Sequence, residues 1–130
     1  MERRESARDT LIVDNRRKWL HRAINLRESR LQKAFRLIAE EPPGRVLDLG
    51  CGAGEFSARF RALGGRVCGV ELIEAQAARS HAQGIQAVAG EVSSGLPFLP
   101  EAFDLVFAGE LIEHLLDTDG FLAEIYRVLR

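Results

Sequence analysis

Two hydrophobic rhythms divide the chain. From Asn15 to about Glu40 the apolar positions Leu20, Ala23, Ile24, Leu31, Ala34, Phe35 and Ile38 recur mostly every three or four residues with Arg and Lys between them. That spacing predicts an amphipathic helix, broken near Leu26 to Ser29. Pro42, Pro43 and Gly44 stop it, because proline disfavours helix in the residue before it and brings no N–H. Short apolar runs then take over. Arg45–Leu49, Arg66–Glu71, Ile85–Ala89 and Phe103–Ala108 read as strands, with helices over Glu55–Leu63, closed by Gly64 and Gly65, and over Glu74–Gln83, closed by Gly84. Ser93 to Ala102, with Gly95, Pro97 and Pro100, reads as a loop. A last helix from about Thr118, capped by Asp117 or Thr118, carries the stripe Phe121, Leu122, Ile125, Val128 and Leu129.

The order β-α-β-α-β, built from strands that are apolar almost throughout, belongs to parallel sheets covered by helices on both faces. The expected fold is therefore α/β: a doubly wound, Rossmann-like parallel sheet of about four strands preceded by an N-terminal helix. Residues 1–41 form a basic helical segment in this reading, and residues 42–130 the sheet domain. Tyr126 and Trp19 read as packing residues, His21 and His81 as surface residues.

Composition narrows the class. With 46% hydrophobic and 28% charged residues and no apolar stretch of membrane-spanning length, the pattern is that of a soluble globular protein rather than a membrane one. The N-terminus, MERRESARD, carries both signs of charge and no apolar segment behind it, so the expected location is cytoplasmic. Cys51 and Cys68 show no metal-like spacing and suit a reducing compartment. Residues 1–36 hold eleven basic and five acidic side chains, and the remainder seven basic and fourteen acidic. The basic end reads either as an arm for an anionic partner such as RNA or as a solvated helix face docked on an acidic body; the lack of interleaved aromatics favours the second.

The chemistry centres on Gly50-Cys51-Gly52-Ala53-Gly54, between the first strand and a helix start, the place where doubly wound folds take nucleotide-like ligands. Glycines there also serve a bare tight turn. A dinucleotide binder wants a glycine where this chain has Glu55, whose carboxylate would repel a pyrophosphate, so a nicotinamide-dependent oxidoreductase is disfavoured and a ligand without phosphates fits better. Asp48, inside the otherwise apolar VLDLG, is a buried carboxylate in want of a partner.

The run Asp48 to Gly54 resembles motif I of the class I S-adenosylmethionine-dependent methyltransferases, of the ubiquinone-biosynthesis-like, type 11 kind. Glu71 at the end of the second strand, Gly90-Glu91-Val92 after the third, and LPFLPEAFDLVFAGELIEHL resemble later stretches of the same family, in order from Arg45 to Arg130. The resemblance implies a Rossmann-like fold, methyl transfer and S-adenosyl-L-methionine as cofactor. It implies cofactor contacts at Asp48, Gly50, Cys51, Gly52, Gly54, Glu71, Leu72, Glu91, Val92 and Glu110. Asp48 would orient the methionine end, Glu71 would accept from the ribose hydroxyls, and Glu91 would take the adenine amine. The acceptor is expected to be a small molecule, ahead of RNA.

In Glu110-Leu111-Ile112-Glu113-His114 a helix would place two carboxylates and an imidazole on one face. The spacing resembles the metal-binding stretch of methyltransferases that act on catechol-like quinone precursors and on RNA termini, with Glu110, Glu113 and His114 as ligands for magnesium or manganese. His114 is also the candidate general base. The family sheet has further strands beyond the fourth, so the chain is expected to be truncated at its C-terminus and FDLVFA to lie bare at an edge, a route to a homodimer. A non-catalytic cofactor- or partner-binding module is the remaining alternative.

Overall fold

The structure, a computed structural model, describes residues 30–40, 42–109 and 111–130. Helix α1 (Arg30–Ala39) belongs to a first compact unit, Met1–Glu40, and everything else to a second, Glu41–Arg130. The expected helix upstream of Arg30, with Trp19 and His21, lies outside the described residues.

In the second unit β1 (Arg45–Leu49), α2 (Glu55–Ala62), β2 (Arg66–Glu71), α3 (Glu74–Ala82), β3 (Gln86–Ala89), β4 (Leu105–Phe107) and α4 (Thr118–Val128) follow in order, with single 3-10 turns at Val92–Ser94 and Ile112–His114. The sheet is parallel throughout, in the order β3-β2-β1-β4. The chain winds outward from β1 to β3, then crosses back to lay β4 on the other side of β1. The reversal puts a crevice at the carboxyl end of β1, beside the Gly50–Gly54 loop.

Alternation along β1 assigns the two faces. Leu47 and Leu49 join Val70, Leu96, Phe103, Phe121 and Val128 in the core beneath α4. Asp48, between them, points the other way, toward Ser57 of α2. On that side Phe56 and Phe60 of α2 lie against Phe107, with ring centroids 5.5 and 5.2 Å away. Helix α4 is capped by Asp117, whose carboxylate accepts from the Gly120 N–H at 2.9 Å, as its sequence predicts.

Three expectations need correction. The strand expected over Ile85–Ala89 is exposed at Gln86, Val88 and Ala89. No α-helix follows β3, only the turn at Val92–Ser94, so the face of β3 turned away from α3 stays uncovered among the described residues. Tyr126, expected to pack, is 84% exposed: Phe121 and Val128 face the core, and Tyr126 shares the opposite side of α4 with half-exposed Leu122. The fourth strand lies at the sheet edge as expected but is not bare along its whole length. Leu129 pairs with Phe103 in a parallel bridge, Phe103 N–H donating to Val128 O at 2.9 Å and Arg130 N–H to Phe103 O at 3.0 Å.

Phe60 is fully buried where α2 meets the sheet. Phe60→Ala is expected to cost about 3–5 kcal/mol of unfolding free energy, read by urea denaturation followed by circular dichroism.

Candidate cofactor-binding site

The glycine loop is held from below, and its glycines divide the work. Gly50, Gly52 and Gly54 have φ of 74°, 58° and 95°, the left-handed region that a side chain resists. Gly54 is the N-cap of α2, and a Cβ there would lie 2.7 Å from Ile85 Cδ1 and 2.8 Å from Ser80 Oγ. The last glycine of the run therefore serves close packing of loop on α3, the task that a dinucleotide fold gives to the position occupied here by Glu55.

Carbonyls of the loop are drawn inward. Ser80 Oγ, buried on the inner face of α3, donates to Gly52 O at 3.1 Å, and Gln83 Nε2 donates to Ala53 O at 2.7 Å. Because each peptide is planar and trans, pulling the Gly52 carbonyl inward turns the N–H of Ala53 outward. Cys51 points down as well. Its thiol is buried against β2, 3.8 Å from Ser80 Oγ, so it fills space under the loop and leaves only its main chain for a ligand.

Two buried acids flank this loop. Glu71, the last residue of β2, is 1% exposed; its Oε2 accepts the Gly52 N–H at 2.8 Å and its Oε1 the Ile73 N–H at 3.0 Å. Asp48, 2% exposed, accepts from Ser57 Oγ at 2.6 Å. Burial pushes its carboxyl up to about 6 from an ordinary 3.8, and the Ser57 hydrogen bond pulls weakly the other way. Neither Ser57 nor Ser80 stands out in the sequence; the available signal was a small hydroxyl residue on the inward face of each helix.

The remaining candidates are more scattered. Leu72 is half-exposed directly after Glu71. Glu91 and Val92 follow β3 at the same end of the sheet, where Glu91 Oε1 accepts from Ser93 Oγ at 2.7 Å and Val92 packs on the core. Leu111 lies over the loop, with Cδ1 3.7 Å from where a Gly50 Cβ would be. Glu110 is outside the described residues. Ile112–His114 is a 3-10 turn rather than an α-helix, so Glu113 and His114 are spaced differently from a helical face. Glu113 and His114 are both more than half exposed, with Oε1 and Nε2 3.9 Å apart. Among the described residues no three His, Cys, Asp or Glu side chains come together as metal ligands.

One clamp escaped sequence reading. From α4, Arg127 donates to Leu96 O at 2.9 Å and Phe98 O at 2.7 Å and pairs with Glu124 at 2.8 Å, while Glu124 accepts the Leu96 N–H at 2.8 Å. The guanidinium and this N–H hold the Glu124 carboxyl down to about 2. In sequence the pair looks like any i, i+3 surface couple.

A parallel sheet with a glycine loop at its reversal point and acids at the ends of adjacent strands defines a doubly wound, Rossmann-like α/β domain, a fold that takes nucleotide-like ligands at that crevice. The chain belongs to the methyltransferase domain family, whose model matches residues 47–130. It is 37% identical over 83 residues to a ubiquinone biosynthesis O-methyltransferase of Rhodopseudomonas palustris, covering 61% of this chain and 33% of that protein. It is 31% identical over 94 residues to a malonyl-(acyl-carrier protein) O-methyltransferase of Serratia marcescens, covering 71% and 36%. Among solved structures, an S-adenosylmethionine-dependent methyltransferase of Mesorhizobium loti superposes with a TM-score of 0.66 at 27% identity, covering 75% of this chain and 47% of that one. The chain thus spans about a third of the curated relatives it matches. The family implies S-adenosylmethionine as cofactor, and the glycine loop with its two acids fits it.

The Asp48 shift carries a sign. The folded state keeps this proton up to about pH 6, whereas the unfolded chain releases it near 3.8, so stability from this group falls as pH rises between those values. Glu124 and Asp104, held low by arginines, act in the opposite sense in more acid solution. Relative to Asp48→Asn, the parent should lose roughly 3 kcal/mol between pH 4 and 7 in urea titrations; parallel curves would refute the assignment.

Proposed function

We propose that residues 42–130 are the cofactor-binding portion of an S-adenosylmethionine-dependent methyltransferase, with residues 1–41 as a basic helical appendage. The observation that carries this is the buried Glu71 carboxylate bonded to the Gly52 N–H, which joins the glycine loop to the end of β2. Bound cofactor would supply a methyl group made electrophilic by its sulfonium, which leaves the protein chiefly to aim the acceptor and keep water away.

The residues divide accordingly. The main chain of Gly50–Gly54 lets a ligand approach where a Cβ would block it. Glu71 would take the ribose hydroxyls, and Leu72 beside it would give an apolar wall. The Glu91 carboxylate, now on Ser93, and the main chain of Val92 would read the base. Asp48 would face the cationic methionine end, whose positive charge favours its ionised form against burial. We assign His114 as the group that receives the acceptor's proton, and Glu110 as a cofactor contact. The acceptor is read as a small molecule with a nucleophilic oxygen, in keeping with the two O-methyltransferase relatives. Cys51 and Cys68, without metal-like spacing, suit a reducing cytoplasm, and no helix among the described residues is long and apolar enough to cross a membrane.

S-adenosylhomocysteine titrated calorimetrically into the protein should bind with 1:1 stoichiometry. Glu71→Ala and Gly52→Val should each weaken it at least about tenfold in protein that circular dichroism shows to be folded, one lost charged hydrogen bond being of that size. Unchanged affinity in both, or binding of NAD in its place, would overturn the reading.

A further inference from the structure

At the opposite end of the sheet from the glycine loop, three arginines converge. Arg45 and Arg66 open β1 and β2 and are register partners, so their side chains leave the same face of the sheet from adjacent strands, about 5 Å apart at the backbone. Two like charges in that relation destabilise a sheet unless something lies between them. Among the described residues neither guanidinium makes a hydrogen bond or ion pair. Asp104, whose charge is felt by Arg45, is already bonded to Arg130 at 2.5 Å and to the Arg45 backbone N–H at 2.8 Å.

Arg61, from the end of α2, completes the corner. Its Nη1 donates to Gln83 O at 2.5 Å, so the guanidinium is fixed beside Gly84, with Nη1 2.7 Å from where a Cβ on that glycine would be. Together they border a cavity of about 560 Å³ whose lining has no carboxylate and whose floor includes buried Val67 and Phe103. A cluster of planar, charged donors over an apolar floor, with no carboxylate in the lining and the nearby Asp104 already held by Arg130, matches an anion with two or more oxygens to share.

We propose that this cavity is a binding site for a phosphate group, free or carried on an organic molecule, separate from the cofactor crevice. Arg45 and Arg66 supply the charge, and Arg61 a fixed third donor direction. The site turns the unfavourable Arg45 and Arg66 pairing into a favourable one when occupied. It stands independently of the proposed methyl transfer, since none of its residues belongs to that crevice.

Calorimetric titration of pyrophosphate and, separately, phenyl phosphate into the full chain tests it. Binding of either at low salt, weakened at least about tenfold by Arg45→Gln with Arg66→Gln and by 0.3 M sodium chloride, supports the site. Preference for phenyl phosphate assigns an organic ester using the apolar floor; preference for pyrophosphate assigns the free anion. The double variant should melt at or above the parent temperature without ligand, because like-charge repulsion has been removed. A lower melting temperature would show the arginines to be structural and overturn the proposal. So would failure of both probes to bind, or equal binding by parent and variant.

Discussion

The bond from the Gly52 N–H to the Glu71 carboxylate is the constraint on which the ligand-facing end of this molecule depends. It ties the glycine loop to the last residue of a central strand, at a carboxylate that is 1% exposed. Two backbone donors help to make that burial tolerable, and leaving either donor without it would carry a desolvation cost of about 1–3 kcal/mol. Loop shape and acid position are therefore one feature. Neither can shift without the other, which is what a site for a small polar ligand needs.

The other supports extend the same logic outward. Ser80 and Gln83 turn loop carbonyls toward α3, and Ser57 meets the second buried acid, and among the described residues no buried side-chain nitrogen or oxygen lacks a hydrogen-bond partner. On the other face of the sheet Arg127 and Glu124 fasten the turn at Leu96 to α4. Gln83 also accepts from Arg61 through its own carbonyl, so one residue touches both the glycine loop and the arginine corner.

Much of the architecture was readable in the residues. Arg66–Glu71 forms the strand its apolar run announces, between a glycine pair and a helix, and Asp117 caps α4 as a short polar residue before an apolar stripe should. What periodicity could not tell is which apolar positions find a neighbour. Val88 and Tyr126 have the right residue type for burial, but no described element covers them, and coverage is a property of the whole packing rather than of a window of residues. Site residues divide similarly. Asp48, Gly52 and Glu71 were visible because a buried charge or bare backbone is costly without a reason. Ser57 and Ser80 were not, because a serine on a helix costs little anywhere, and only three-dimensional proximity gives these two their partners. At Ile112–His114 a 3-10 turn spaces Glu113 and His114 differently from an α-helical period, and nothing in the residue types distinguishes the two.

Beneath the loop, Cys51 and Gly69 meet across the sheet: a methyl on Gly69 would lie 2.6 Å from the Cys51 sulfur and 3.0 Å from its Cβ. The hydrogen at position 69 and the thiol at 51 are a lock and its key cut in a strand and in the loop above it, eighteen residues apart in sequence. Drift at one obliges drift at the other. In descendants of this chain the two positions should trade volume, bulk gained in the second strand being given back in the turn, so that the ligand's platform keeps its height.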